Sequence, residues 1–366
     1  MKILVLLTDL FDKVGGIQTF NRSLIKALDD IAVKKNWDIT VLALNDNQKK
    51  DTAKQFHLNK TKYIAFKGSR FQFAASVFAY AKGSSIIFFG HVNFLPIAYA
   101  LRFINPKVYM YLTVYGIDIW KKLSLIQKLG INKINKILSI SNYTKQIAVS
   151  LNLIDESKFL VLPCTLDTEY GKQVVLKSKN ELSLPQGKMI LTVSRLAKTE
   201  KLKNIDLVIK ALPLILKETP DVYYVIAGDG DDRTRLENIS KEVGVKDKVV
   251  FTGKVSDEIL SSYYNLCNVF VLPSEKEGFG IVFLEAMYYS KPCIGANAGG
   301  IPEVIEDSKT GLLIEPGNAN SLVSSIIKLL EDEKLCYSMG KSGKERLEKE
   351  FSFERFKNRL ENLLCY

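Results

Sequence analysis

Short apolar runs alternate with segments of helical period along almost the whole 366-residue chain. Runs rich in Val, Ile, Leu and Phe are typical of parallel strands buried on both faces, and the segments between them are typical of the helices that cover such sheets. The pattern therefore predicts an α/β fold of doubly wound parallel sheets. The predicted strands lie near 2–8, 38–44, 62–66, 85–90, 107–114, 136–141, 158–162, 188–194, 222–227, 248–253, 268–272, 292–296 and 311–314.

The alternation fades once, between residues 163 and 188, where the sequence becomes polar and contains several lysines. Chains of this length normally form two or three domains. We therefore predict two doubly wound domains, residues 1–166 and 167–350, that face a central cleft. Ligands of such sheets bind outside the carboxyl ends of the strands, so the turns after strands are the expected places for chemistry.

Cysteine and histidine usage argues against disulfide and metal sites. The cysteines are scattered, odd in number and never in a C-x-x-C pair, and the chain has only two histidines, His57 and His91. The first apolar run is too short for a signal peptide, and no apolar window long enough to span a membrane follows it. We expect reduced thiols and a cytoplasmic location. The cysteines are Cys164, Cys267, Cys293, Cys336 and Cys365.

The formal net charge of +11 belongs to one half of the chain. Residues 1–178 contain 25 Lys and Arg against 12 Asp and Glu, a net +13, whereas residues 179–366 contain 26 against 28, a net −2. A positive half attracts nucleic acid, an anionic membrane surface or an acidic substrate, and charge alone does not distinguish these partners.

A turn rich in glutamate and glycine follows the predicted strand 268–272. Glu277 precedes Gly278-Phe279-Gly280, and Glu285 lies about one and a half turns into the helix that follows. Glycines let backbone N–H groups approach a ligand, and a helix N-terminus favours a phosphate. The carboxylates would accept hydrogen bonds from hydroxyl groups, such as those of a sugar and a ribose. The alternative is that each glutamate is a solvated surface residue.

Two cations follow the predicted strand 188–194. Arg195 comes directly after this strand, and Lys203 precedes the next helical segment. A guanidinium and an ammonium at the carboxyl end of a parallel strand are suited to neutralise a diphosphate. The alternative is an ordinary solvated loop, since other lysines lie in the same stretch.

Paired glycines, Gly15 and Gly16, follow the first predicted strand at the start of a helical segment. Such a pair suits a backbone that packs against a phosphate or a sugar, and it equally suits a plain loop before a helix. The spacing G-x-G-x-x-G is absent, which argues against a nicotinamide dinucleotide.

Asp229 and Asp231 form an Asp-x-Asp pair after the predicted strand 222–227. Some transferases hold a divalent cation in this way. Aspartate is also favoured in turns and at helix N-termini. We interpret the pair as a turn, because Arg195 and Lys203 would already offset a diphosphate charge.

Together these motifs resemble those of glycosyltransferase family 4, whose members are retaining enzymes of GT-B architecture. The similarity runs from Gly15-Gly16-Ile17 through Ser194-Arg195-Leu196 and the Glu277 to Glu285 pair to Gly299-Gly300-Ile301-Pro302-Glu303. The resemblance implies two Rossmann-like domains, the N-terminal one binding the acceptor and the C-terminal one binding a nucleotide sugar. It also implies that the final helix, 351–366, crosses back to the first domain.

The resemblance further implies roles for single residues. Arg195 and Lys203 would contact the donor diphosphate, Glu277 the transferred sugar as the catalytic carboxylate, and Glu285 the ribose. No metal and no cofactor are expected besides the donor substrate itself, which would be UDP- or GDP-linked. The other implied donor-binding positions are Gly15, Gly16, Gly278, Phe279, Gly280 and Ile281.

One position departs from the family pattern. Many relatives carry a histidine that contacts the transferred sugar where this chain has Tyr115. Tyrosine can donate a hydrogen bond, but it is not a base near neutral pH. Tyr115 and nearby Asp118 are kept as candidate catalytic residues, and a helix N-cap is the alternative role of Asp118.

The positive charge of residues 1–178 gives information about the kind of acceptor. Cations precede the apolar-aromatic segment Phe71–Tyr80, and Trp120-Lys121-Lys122 begins a second basic segment. Such a helix is typical of a membrane-surface element, but the aromatic residues could equally be the core face of a sheet-covering helix. The charge favours an anionic surface or a lipid-linked acceptor, and hence peripheral attachment to the inner face of the cell membrane.

We therefore expect a retaining, metal-independent hexosyltransferase that moves a sugar from a nucleotide sugar to a glycan or lipid-linked acceptor in cell-surface polysaccharide or glycolipid synthesis. A nucleotide-sugar epimerase of the same fold is the nearest alternative, although two histidines give it poor support. A nucleic-acid-binding protein would explain the basic half, but no recognisable binding module is present, and no nucleic-acid partner is expected.

Overall fold

The two halves of the chain form two sheets in which each strand pairs in parallel with its neighbours. The computed structural model of the protein describes residues 1–12, 15–47, 57–172 and 174–364. The chain divides into an N-terminal unit, residues 1–168 with 352–366, and a C-terminal unit, residues 169–351. The last two residues of the predicted helix 351–366, Cys365 and Tyr366, lie outside the described residues.

The sheet of the N-terminal unit has seven strands in the order β3-β2-β1-β4-β5-β6-β7. Its strands are β1 (Lys2–Leu7), β2 (Asp38–Ala43), β3 (Thr61–Ala65), β4 (Ile86–Phe89), β5 (Tyr109–Val114), β6 (Lys136–Ser139) and β7 (Phe159–Val161). Its helices before the crossing are α1 (Gly16–Lys35), α2 (Arg70–Ala81), α3 (Leu95–Ile104), α4 (Leu125–Ile131) and α5 (Asn142–Asn152).

The sheet of the C-terminal unit has six strands in the order β10-β9-β8-β11-β12-β13. Its strands are β8 (Met189–Val193), β9 (Tyr223–Ala227), β10 (Val249–Gly253), β11 (Val269–Leu272), β12 (Cys293–Ala296) and β13 (Gly311–Ile314). Its helices are α6 (Ile205–Glu218), α7 (Arg233–Glu242), α8 (Asp257–Leu266), α9 (Ile281–Tyr288), α10 (Ile301–Val304), α11 (Ala319–Glu331) and α12 (Glu333–Glu350).

The last helix, α13 (Phe353–Leu364), belongs to the N-terminal unit. The ring of Phe356 packs edge-on against that of Phe20 in α1, with centroids 5.6 Å apart. The Tyr111 hydroxyl of β5 donates a 2.7 Å hydrogen bond to the carbonyl of Leu363. Burial of aromatic surface and a partly buried hydrogen bond therefore hold the end of the chain on the first sheet.

The predicted fold class is confirmed. Each predicted strand is present, because strands buried on both faces leave a continuous apolar signature in the sequence: β4 and β11, for example, are buried at every position. Both units are doubly wound, with strand order reversing at β1 in the first and at β8 in the second.

The segment Phe71–Tyr80 forms most of α2, a helix that packs on the sheet. Phe73 and Val77 are buried in the core of the N-terminal unit, as the core-packing alternative predicts. Phe71, in contrast, has 85% of its surface exposed. Among the described residues, no helix combines the length and the apolar character needed to cross a bilayer.

Candidate active site

Strand order in the C-terminal unit reverses between β9 and β11, which both flank β8. Arg195 follows β8, and the turn that carries Glu277 follows β11. At such a reversal the loops leave the sheet in opposite directions and open a crevice at the carboxyl ends of the strands. The topology thus brings two segments that are some eighty residues apart in sequence to one edge of the sheet.

Hydrogen bonds join these two segments directly. The backbone N–H of Glu275 donates to the carbonyl of Leu202 at 2.8 Å. Asn204 Nδ2 donates to the Pro273 carbonyl at 3.0 Å and to Glu275 Oε1 at 2.9 Å. The residues on either side of Lys203 are therefore fixed to the turn that carries the predicted glutamates.

A third charged residue, Glu200, links the two predicted cations. Its side chain has only 12% of its surface exposed, and it forms ion pairs with Arg195 and, at 2.9 Å, with the Lys203 ammonium. Burial lowers the pKa of Lys203, Arg195 acts in the same direction, and Glu277 opposes them. Arg195, Lys203 and Glu277 therefore lie within electrostatic reach of one another, with Glu200 pairing the two cations.

Glu277 is partly buried beside these cations. Burial raises the pKa of its carboxyl, while Lys203 and the backbone N–H groups of Gly278 and Phe279 lower it. A half-buried carboxylate near an ammonium and two N–H groups has a fixed position from which it can accept hydrogen bonds from hydroxyl groups.

The loop after β12 packs tightly on the same turn. The N–H of Gly300 donates to the Glu277 carbonyl at 2.8 Å. A Cβ at Gly299 would lie 2.4 Å from that carbonyl oxygen, and a Cβ at Gly300 would lie 2.3 Å from the carbonyl oxygen of Gly278. Since real Cβ atoms do not approach oxygen so closely, only glycines allow this packing.

The remaining predicted backbone donors lie at the start of α9. Gly280 has a φ of +90° and precedes Ile281, the first residue of the helix, without a side-chain cap. Phe279 is buried and packs edge-on against Phe351 at 5.6 Å. The turn therefore presents an uncapped helix N-terminus next to the cationic segment, an arrangement that suits an anion.

Glu285, eight residues after Glu277, lies in a cluster of tyrosines. Tyr264 of α8 donates a 2.7 Å hydrogen bond from its hydroxyl to Glu285 Oε2. The rings of Tyr264 and Tyr289 stack at 6.0 Å, and the Glu285 carboxylate also raises the pKa of Tyr170, in addition to burial. The structure thus places Arg195, Lys203 and Glu277 in one group and Glu285 with the tyrosines in another. Glu277 and Glu285 are carried by the same turn and the helix that follows it.

The Asp-x-Asp pair makes the hydrogen bonds of a turn. Asp229 Oδ1 accepts from the N–H of Gly230 at 2.9 Å, and Asp231 Oδ1 accepts from the N–H of Lys198 at 2.8 Å. These contacts fit the turn interpretation. Over the residues that the structure describes, no group of three or more potential metal ligands is assembled.

In the N-terminal unit the strand order reverses at β1 between β2 and β4. Gly15 and Gly16 follow β1, and α1 begins at Gly16 with no side-chain cap from Gly15. His91, which was given no role in the sequence interpretation, follows β4 at the same reversal. Its Nδ1 accepts the Asn93 N–H at 3.0 Å, so the neutral ring carries its proton on Nε2.

Burial lowers the pKa of His91, with Lys121 acting in the same direction and Asp9 opposing it. The ring is therefore neutral at pH 7 and can donate from Nε2. Strand order is the signal that would have singled out His91, and order is not visible in a single sequence.

Tyr115 and Asp118 both lie in the interior at the end of β5. The Tyr115 hydroxyl donates to Asn21 Oδ1 of α1 at 2.6 Å, and its ring packs edge-on against Phe20. Asp118 Oδ1 accepts the Tyr115 N–H at 2.9 Å, and burial raises the pKa of the Asp118 carboxyl to about 7. These contacts describe a capped turn that is tied to α1, and a catalytic role for either residue remains a prediction.

The chain resembles known proteins in both sequence and fold. Residues 176–346 match the family model for glycosyl transferases group 1. The chain is 28% identical over 278 residues to the N-acetyl-alpha-D-glucosaminyl L-malate synthase of Bacillus anthracis, covering 72% of this chain and 69% of that protein.

A second relative is the GDP-mannose-dependent alpha-(1-6)-phosphatidylinositol monomannoside mannosyltransferase of Mycobacterium tuberculosis. It is 31% identical over 180 residues, which is 47% of each chain, so this alignment spans about half of the relative's length. The crystal structure of HepE from Anabaena in complex with UDP and glucose superposes with a TM-score of 0.80 at 21% identity, covering 100% of this chain and 99% of that one. At this identity the likeness establishes the fold.

Proposed function

Because the chain is a glycosyltransferase of GT-B architecture, we propose that it is a metal-independent, retaining hexosyltransferase of family 4. It moves a hexose from a nucleotide sugar to a glycan or lipid-linked acceptor. The observation that carries this proposal is the grouping of Arg195, Lys203 and Glu277 where the strand order reverses in the C-terminal unit.

The two cations and the start of α9 act on the diphosphate of the donor. Negative charge grows on this leaving group as the bond to the sugar breaks, so positioned cations stabilise the transition state more than the ground state. Arg195 and Lys203 supply the charge, and the N–H groups that follow Gly280 supply donors. In this arrangement no divalent cation is required, which supports the metal-independent assignment.

Glu277 orients the transferred hexose. Its carboxylate accepts hydrogen bonds from sugar hydroxyls. Burial raises the pKa of this carboxyl, and the ammonium of Lys203 opposes that rise. In a retaining reaction of this type, the leaving phosphate takes the proton of the acceptor hydroxyl. This route needs no histidine base, which is compatible with the buried, hydrogen-bonded Tyr115.

Glu285 and its tyrosine cluster are assigned to the ribose of the donor. A carboxylate held by Tyr264 can accept hydrogen bonds from a vicinal diol. The M. tuberculosis relative is named for GDP-mannose, and HepE was solved with UDP. These names support a UDP- or GDP-linked donor for this chain.

The N-terminal unit is assigned to the acceptor. Its excess of positive charge suits an anionic glycan or a lipid-linked acceptor at a membrane surface. The names of the two relatives contain L-malate and phosphatidylinositol monomannoside, both of which are anionic. We propose that the protein works in the cytoplasm, peripherally attached to the inner face of the cell membrane, in polysaccharide or glycolipid synthesis.

The experiment measures nucleoside diphosphate release from UDP- and GDP-hexoses, with and without acceptor lipid extracts, and in the presence of EDTA. We expect release that depends on acceptor, survives EDTA and falls at least a hundredfold in Arg195→Met. Arg359→Met, in α13 of the other unit, is the matched control. An altered free nucleotide sugar without transfer would indicate an epimerase, and a strict manganese requirement would shift the weight to Asp229 and Asp231.

A further inference from the structure

Helix α4 (Leu125–Ile131) presents apolar side chains to solvent. The exposed fractions are 77% for Leu125, 45% for Ile126 and 39% for Leu129. At 3.6 residues per turn these three side chains lie next to one another on one side of the helix. Gly130 and Ile131 lie on the other side and are buried. Helix α4 therefore buries Ile131 and also exposes three apolar side chains where an ordinary surface helix carries polar ones.

The orientation of α4 is set by contacts on its inner side. A Cβ at Gly130 would lie 2.1 Å from the carbonyl oxygen of Leu95, so the helix packs backbone-close on the start of α3. Gln127 Nε2 donates to the Val92 carbonyl at 3.4 Å, and Ser124 and Gln127 form a capping box. Because these contacts fix the helix, Leu125, Ile126 and Leu129 do not turn inward.

Basic residues surround the exposed apolar side chains. Residues 99–136 contain seven lysines and arginines and one acidic residue, Asp118, which is buried. Lys121, Lys122 and Lys128 are exposed next to or within α4. We call Leu125, Ile126 and Leu129 with these three lysines the lysine-flanked face.

The neighbouring helix α3, which packs against α4, also carries an exposed aromatic residue. Phe103, near the end of α3, has 71% of its surface exposed and packs edge-on against Tyr99 at 5.4 Å. The Lys133 ammonium lies 6.0 Å from the centre of the Tyr99 ring. Both α3 and α4 therefore carry exposed apolar or aromatic side chains with cations nearby.

We propose that the lysine-flanked face docks on the surface of an anionic phospholipid membrane. Contiguous exposed apolar groups are rare on soluble domains unless they bind something. Leucine and isoleucine side chains would enter the boundary between headgroups and acyl chains, and the lysines would pair with anionic headgroups. A protein partner would have to be strongly acidic, whereas an anionic bilayer satisfies both features at once.

This assignment refines the location of the membrane element. The sequence directed attention equally to Phe71–Tyr80, whose Phe73 and Val77 are used in the core. The docking proposal rests on the proposed function in one respect only, namely that a lipid-linked acceptor would be presented at the same membrane surface. Docking itself needs neither donor nor acceptor.

Vesicle flotation of the full chain tests the proposal. We expect binding to vesicles of phosphatidylcholine with phosphatidylglycerol, little binding to phosphatidylcholine alone, and release by high salt. We expect vesicle binding to fall about tenfold in the double variant Leu125→Ser/Leu129→Ser, because apolar insertion is lost. A fall of about tenfold is also expected in Lys121→Gln/Lys122→Gln, because the attraction to anionic headgroups is lost.

Matched controls change the same residue types elsewhere. Leu153→Ser/Leu214→Ser replaces two exposed leucines, and Lys241→Gln/Lys246→Gln replaces two exposed lysines of the C-terminal unit. Both should bind vesicles like the unaltered chain. If the unaltered chain fails to float, or if controls and test variants lose binding equally, the docking assignment is wrong. Self-association that Leu125→Ser/Leu129→Ser abolishes would assign the face to a second copy instead.

A thermal shift with UDP- and GDP-sugars on the same preparations keeps the two proposals apart. Vesicle binding without a donor-induced shift would contradict the proposed function alone. A donor-induced shift without vesicle binding would contradict the docking assignment and the proposed membrane attachment, and would leave the proposed sugar transfer unaffected. The test variants should keep the full donor-induced shift, because α4 and the donor segments belong to different units.

Discussion

Tyr264 donates a 2.7 Å hydrogen bond from its buried hydroxyl to the carboxylate of Glu285. The two residues lie on different helices, α8 and α9, so the bond fixes the carboxylate relative to the sheet as well as to its own helix. Burial and the Glu285 charge both raise the pKa of Tyr264, which keeps the phenol protonated and able to donate. Glu285 thus has one oxygen held by Tyr264, and we assign its hydroxyl-binding capacity to the ribose.

Replacement of Glu285 by alanine should weaken UDP or GDP binding about 10- to 100-fold, because hydrogen bonds to a charged group are lost. Tyr264→Phe should have a smaller effect, about three- to tenfold, since the carboxylate stays but loses its anchor. Isothermal titration with ribo- and 2′-deoxynucleotides measures both effects. Discrimination between the two sugars should fall in both variants and persist in Tyr263→Phe. Unchanged nucleotide affinity in Glu285→Ala would remove the ribose assignment.

Substitution of Glu200 by glutamine should strengthen nucleoside diphosphate binding by about two- to fivefold. The Glu200 carboxylate pairs with Arg195 and Lys203, the cations assigned to the diphosphate, and therefore competes with it. Glu218→Gln makes the same charge change on an exposed part of the C-terminal unit and is the control. Weaker binding in Glu200→Gln would mean instead that Glu200 positions the cations for the donor.

Tyr115→Phe should destabilise the protein by about 1–3 kcal/mol, because the Asn21 side-chain oxygen loses its buried donor. Turnover of the folded protein should change less than about twofold if the hydroxyl acts only in packing. Urea unfolding and transfer rates measure the two quantities, and Tyr337→Phe on the exposed surface is the control. A large loss of turnover with unchanged stability would support the predicted catalytic role of Tyr115.

Asp118→Asn should make stability less dependent on pH. Burial raises the Asp118 pKa from 3.8 to about 7, so the fold favours the protonated carboxyl. Below about pH 4 the carboxyl is protonated in both states. As the pH rises from about 4 to about 7 the unaltered chain loses stability relative to the variant, by up to about 4 kcal/mol, and above about pH 7 the difference stays constant. Asparagine keeps an oxygen for the Tyr115 N–H. Urea unfolding at several pH values measures the difference, and a constant difference would show that folding does not raise the Asp118 pKa.

The strands were predictable because strands buried on both faces are apolar at almost every position, as β4 shows. The segments carrying Arg195 and Glu277 were predictable because both follow such strands. Glu200 and Tyr264 were not, because their importance comes from side-chain contacts across separate segments. The sequence also left Phe71–Tyr80 undecided between core and surface, since a helical period shows an apolar face without showing what covers it.

The return of α13 to the first sheet has a consequence for how the protein is made. Residues 1–168 leave the ribosome long before residues 353–364 are synthesised. The surfaces of α1 and β5 that contact Phe356 and Leu363 in the folded protein are therefore exposed while the whole C-terminal unit is translated. A stop codon that removes α13 would consequently destabilise the N-terminal unit, which is the first part of the chain to be synthesised.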